Sequence, residues 1–211
     1  MITIFKGNWD VFFTADQHFG HKNIIKYCQR PFADVTEMDN ELIARWNSRV
    51  HADDLVFHLG DVTLGDDAAK YFSRLNGRIY LLRLDWHHDY RWLRKQGNSS
   101  LVSASGHPLR FLPPLDVIEV EYIRRGEHPL TITLSHYPMA EWEASHYGAW
   151  HIHGHSHGAY YDLQGRFVID AGVDATGFAP LSFAEVLQHM CGLGFKLDGT
   201  DAVLTGSNKK A

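Results

Sequence analysis

Cysteine is scarce in this 211-residue chain, which has only Cys28 and Cys191. Two isolated thiols build neither a disulfide framework nor a thiolate metal motif. No apolar run approaches the length of a membrane span. The first ten residues carry no positive segment ahead of an apolar stretch, so they do not read as a signal peptide, and a cytoplasmic protein is expected. Positive charge is also short: 20 Lys and Arg against 25 Asp and Glu leave a formal net charge of −5. That balance excludes a broad basic face for nucleic acid, while leaving room for a local phosphate-binding patch. Internal repeats and low-complexity segments are missing as well. With 45% apolar and 21% charged residues, the composition is that of an ordinary globular chain, long enough for one domain with a full core.

Histidine, by contrast, is abundant. Of 15 in the chain, His136, His146, His151, His153, His155 and His157 fall within one short stretch without forming a consecutive tag.

Short apolar runs at 10–15 and 54–59 read as buried strands, each stopping at an aspartate-bearing turn. Thr36 with Asp39 reads as a capping box opening a helix whose Met38, Leu42, Trp46 and Val50 share one face. Asp66 or Asp67 is expected to cap a second helix that ends at Gly77. Further strands are expected at 78–84, 116–122, 130–135, 150–153 and 167–169, and Ser182 with Glu185 opens the last helix. Strands that alternate with helices early and crowd together later imply an α/β (α+β) fold, two packed sheets flanked by helices. Ligand sites in such sheets collect at the carboxyl ends of strands.

Five segments at such ends carry metal-ligand side chains: Asp16-Gln17-His18, Gly60-Asp61-Val62, Trp86-His87-His88-Asp89, Ser135-His136-Tyr137 and Gly154-His155-Ser156-His157. In Gly-His-x-His, two imidazoles one residue apart on an extended backbone point the same way. In their order these segments resemble the calcineurin-like metallophosphoesterase superfamily, whose signature runs Asp-x-His, Gly-Asp, Gly-Asn-His-Asp, His, Gly-His-x-His. The segments around Thr14 to Ile25, Arg30-Pro31-Phe32, Asp53 to Asp61 and Gly172-Val173-Asp174 look like its small bacterial and phage-type members.

The resemblance implies the two-sheet sandwich of that superfamily, with 1–197 as a single metallophosphoesterase domain and 198–211 as a polar tail. It also implies two divalent ions, about 3.5–4 Å apart, that clamp a phosphate and activate a water. Asp61 would bridge them, Asp16, His18 and His157 would complete the first site, and His136 and His155 would serve the second. Imidazole mixed with carboxylate suits Mn, Fe, Zn, Co or Ni. The third motif departs from the pattern. Aligned from its C-terminal end, His87 replaces the asparagine ligand; aligned from the strand, Asp85 does. The first register keeps His88 and Asp89 in their family positions and is preferred. His88 would then stand by the leaving oxygen, to protonate it or stabilise its charge, and Asp89 would orient His88.

The expected activity is hydrolysis of phosphate esters by a metal-bound hydroxide. Phosphodiesters or nucleotide-type substrates are preferred, because so short a chain has little room for a protein-docking surface. The expected partner is a small phosphate ester or nucleotide, with no stable nucleic-acid partner, no membrane and no oligomeric state assigned. The alternative is a catalytically impaired scaffold of the same fold that binds a protein. A histidine-rich metal store leaves the aspartates unexplained. Among the other residues, Arg30 reads as a structural ion pair more readily than as a phosphate contact. His153 reads as support for the site, Asp174 as a turn cap, Tyr137 and Pro138 as shaping their loop, and Trp46, Trp142 and Trp150 as core. His21 is divided between substrate contact and solvent.

Overall fold

The computed structural model describes residues 2–96, 101–125, 127–159 and 166–196. The tail expected at 198–211 lies outside them. In chain order the elements are β1 (Ile2–Ile4), β2 (Val11–Thr14), α1 (Lys22–Tyr27), α2 (Val35–Asn47), β3 (Leu55–His58), α3 (Ala69–Phe72), β4 (Arg78–Leu82), α4 (Tyr90–Gln96), β5 (Arg110–Leu112), β6 (Leu115–Arg125), β7 (His128–Ser135), β8 (Trp150–His153), β9 (Val168–Asp170), β10 (Leu181–Ser182) and α5 (Phe183–Gly192). A 3₁₀ turn, Ser145–Tyr147, precedes β8.

The strands form two five-stranded sheets, ordered β10-β2-β3-β4-β5 and β1-β6-β7-β8-β9. In the first, β2 to β5 run parallel and β10 is antiparallel; in the second, β6 and β7 form the antiparallel pair. The architecture is therefore mixed α/β, two sheets flanked by helices.

Strand periodicity divides the core. Val11 and Phe13 on β2, with Phe57 on β3, point into the layer between the sheets, where they meet Ile118, Val120, Ile132, Leu134, Trp150 and Ile152. Their neighbours Phe12 and Val56, with Ile79 and Leu81 on β4, point the other way, against Met38, Leu42 and Trp46 of α2. Both faces of β2 to β4 are covered, which is why these strands read as continuous apolar runs. Phe183, Val186 and Met190 of α5 close the inter-sheet layer. No helix among the described residues is long and apolar enough to cross a membrane.

Two caps differ from expectation. Asp34, not Thr36, caps α2, its carboxylate accepting from the Thr36 and Glu37 amides. Asp39 instead accepts from the Gly20 amide and the Tyr71 hydroxyl, tying α2 to the loop after β2. Neither Asp66 nor Asp67 caps α3, which starts from Ala68 without a side-chain cap; Asp66 pairs with Arg91 and Lys95. The capping box Ser182/Glu185 is formed as expected.

The parallel strands carry their C-terminal ends to one rim. Ala15 bridges Gly172, and Gly154 donates to the His136 carbonyl, so loops from both sheets converge there.

Candidate metal centre

Three of the five ligand-bearing loops leave their strands through left-handed backbone. Asp16, His18, Asp61, His155 and His157 all adopt positive φ, between 49° and 67°, a conformation rarely taken by residues other than glycine. Such strain persists where surrounding bonds over-determine it. Here the Asp16 amide donates to Gly60 O, the His18 amide to Asp61 O, and the His155 amide to Asp16 Oδ2. Glycines make the close approaches. Gly60 has φ +108°, and a Cβ on Gly172 would lie 2.6 Å from Asp16 Oδ2.

Two of the resulting groups of potential ligand atoms contain the expected residues. Asp16, His18 and His157 form one; Asp61, His87, His136 and His155 form the other, with the ligand atoms of each lying within 4.8 Å of one another. Asp61 stands between them: its Oδ2 is 3.4 Å from His18 Nε2 and 3.5 Å from His136 Nε2, while its Oδ1 meets His87 Nδ1. All seven side chains expected to ligate are thus brought together.

Burial sets their protonation. Asp61 loses water, which pushes its pKa up, but the hydrogen bond from His87 and the charges of His18 and His136 outweigh this and hold it at about 2. Burial pushes His136 down to about 4 and lowers His18 and His155, keeping lone pairs available. The bond to Asp61 raises His87. Burial, with the Asp61 charge beside it, raises Asp16 well above the carboxylate range.

These donors fit divalent cations. Asp16 Oδ1, both ring nitrogens of His18 and His136 Nε2 are buried without a hydrogen-bond partner, an arrangement that costs free energy unless something else engages them. The remaining nitrogens are anchored as ligands require: His136 Nδ1 donates to Leu59 O at 3.0 Å and His157 Nδ1 to Asp174 Oδ2 at 2.7 Å.

In the third motif it is His87, and not Asp85, that faces the ligand groups. Asp85 turns outward, half exposed, and pairs with Arg83 at 2.8 Å. His88 sits at the mouth, its Nε2 4.0 Å from Asp61 Oδ2 and its ring 5.1 Å from that of His18.

Asp89 departs from its expected role. Fully buried, it accepts from the Val62 and Thr63 amides at 3.0 and 3.2 Å and from Trp92 Nε1 at 2.8 Å. It therefore fixes the loop after Asp61 rather than the His88 ring, and burial raises its carboxyl to about 6.

Asp174 does more than cap a turn. It accepts from His157 and from Arg30 Nε and Nη2, both at 2.8 Å, while Arg30 also donates to the Asp16 and Gln17 carbonyls. Arg30 is thus the structural ion pair its sequence context suggested. Cys28 also lies near His157 and Asp174, but burial pushes its thiol up to about 11, so it stays protonated. His153 donates to Gly154 O at the start of the Gly-His-x-His turn. His21 packs at the mouth, 5.6 Å from the His18 ring. Trp46, Trp142 and Trp150 are buried, as expected of core residues.

No family model matches the chain. The uncharacterized protein MJ1445 of Methanocaldococcus jannaschii is 31% identical over 183 residues, covering 84% of this chain and 89% of the relative. The Gene 66 protein of Mycobacterium phage L5 is 30% identical over 189 residues, covering 80% and 88%. The crystal structure of AQ665 from Aquifex aeolicus, a protein of unknown function, shares the fold, with a TM-score of 0.61 at 20% identity over 86% of this chain and 100% of that one.

Proposed function

We propose that the chain, which belongs to the family of MJ1445 and the phage Gene 66 protein, is a binuclear-metal-dependent phosphoesterase of calcineurin-like type. Its substrates are small phosphate esters, phosphodiesters or nucleotide-type compounds in preference to phosphoproteins. The observation that carries this reading is the pair of ligand groups meeting at one ionised carboxylate, Asp61.

Two divalent ions, Mn, Fe, Zn, Co or Ni by donor type, would supply Lewis-acid polarisation of a phosphoryl oxygen and acidify a water between them. Asp61, which faces His18 of one group and His87 and His136 of the other, would offset the repulsion between two dications. Asp16, His18 and His157 would hold one ion; His87, His136 and His155 would hold the other. The bonds from His136 to Leu59 O and from His157 to Asp174 set which ring nitrogen each presents. His88 lies at the open side, where a leaving oxygen would emerge. Burial lowers its pKa, so at neutral pH it offers a neutral N–H, which favours stabilising that oxygen by a hydrogen bond over delivering a full proton.

Metal analysis of the purified protein, with hydrolysis of a generic phosphodiester and phosphomonoester in added Mn, tests the reading. Two ions per chain and diester turnover, both lost in Asp61→Ala, are expected. A folded protein without turnover in any divalent metal refutes it and favours a protein-binding scaffold.

A further inference from the structure

Most tryptophans here are structural: Trp46 and Trp92 are 1% exposed, Trp150 0% and Trp142 7%. Trp86 is 62% exposed, on the loop that delivers His87. An indole left in water forgoes a large apolar burial, and exposed aromatics on functional loops commonly meet a partner ring or face. Trp86 is not alone. Tyr137, on the loop after β7, is 38% exposed, and the Trp86 indole N–H lies close enough to its hydroxyl to favour the ionised form. Its ring lies against the second ligand group, with centroids 4.5 Å from His155, 5.0 Å from His136 and 5.7 Å from His87. Two aromatic side chains delivered by loops of different sheets therefore stand at one lip of the centre. On the opposite lip Tyr27 is also exposed, but it reaches the centre only through His21, at 6.4 Å.

We propose that Trp86 and Tyr137 form a stacking subsite for a flat aromatic group carried by the phosphate ester, so that the centre selects aromatic over aliphatic esters. This rests on the phosphoesterase reading above, because the ester's phosphate must sit at the ligand groups for its ring to reach that lip. Stacking on an aromatic side chain is sequence-tolerant and is lost on truncation to alanine. A nucleobase and a simple aryl ring share this chemistry.

The test is equilibrium binding of phenyl phosphate, a nucleoside 5′-monophosphate and butyl phosphate to the metal-loaded full chain, read by tryptophan fluorescence and calorimetry. Aromatic esters should bind about ten-fold or more tightly than butyl phosphate and quench fluorescence. In Trp86→Ala that advantage should fall at least about five-fold, with butyl phosphate binding unchanged, and Trp86→Phe should restore much of it. Tyr27→Ala should keep it whole. A nucleotide that outbinds phenyl phosphate identifies a nucleobase as the group; equal binding identifies any aryl ring. Equal affinity for butyl and aromatic esters, or an unchanged preference in Trp86→Ala, overturns the subsite and leaves the phosphoesterase reading standing. Failure of every phosphate ester to bind overturns both.

Discussion

The link from Arg30 through Asp174 to His157 can be dissected by removing each end. Arg30 and Asp174 are a buried pair, with side chains 0% and 6% exposed. Arg30→Met leaves Asp174 buried without its cation and strips donors from the Asp16 and Gln17 carbonyls. Breaking a buried pair from one side costs about 3–5 kcal/mol, and urea unfolding should show it. Replacing both partners, as Arg30→Met with Asp174→Leu, should recover much of that loss, since well-packed apolar side chains often match a buried pair. Metal affinity should behave differently. The double variant still lacks the carboxylate that accepts from His157 Nδ1. Loss of such a partner typically weakens metal binding about 10–100-fold, or about 1.4–2.7 kcal/mol. Chelator competition on wild type, Arg30→Met, Asp174→Leu and the double variant therefore separates the two contributions. A double variant that regains stability and also keeps wild-type metal affinity would show that Asp174 merely packs, and the reasoning would be wrong.

His87→Ala should lower metal content, whereas Asp85→Ala, which removes only an exposed pair with Arg83, should leave it unchanged and shift stability by less than about 1 kcal/mol; atomic absorption after dialysis distinguishes them. Acid should destabilise the fold through histidines outside the ligand set. Burial holds His58 at about 3 and His151 at about 4, so the unfolded chain binds more protons than the folded one from about pH 6.5 downward. Stability fully present above that pH is then lost towards the folded values, at about 1.4 kcal/mol per pH unit per histidine. His58→Phe should flatten the slope of unfolding free energy between pH 6 and pH 5 by about that amount; an unchanged slope would mean that His58 is not held neutral.

The strands and their ligand-bearing ends were legible in the chain because period and punctuation are local properties. Phe12 and Phe13 are apolar in succession because both faces of β2 are covered, and Asp16, His18, Asp61, His155 and His157 follow strands closely enough to be found by spacing. The third motif was legible only as a choice, since neighbouring side chains on an irregular loop point in unrelated directions; the fold turned His87 inward and Asp85 out. Caps near Asp39 and Asp66 misled because a carboxylate accepts from whichever donors surround it. Asp39 serves Gly20 and Tyr71, residues 19 and 32 positions away.

The sequence by itself determined the mixed α/β class, the pool of candidate ligands and the absence of a long apolar run. Only tertiary structure decided what supports them. Arg30 lies 144 positions from Asp174, and Asp89 lies 27 from the Val62 amide it holds. Such bonds form where backbone reversals bring loops from two sheets to one rim. Their strength comes from burial there, which no local pattern encodes.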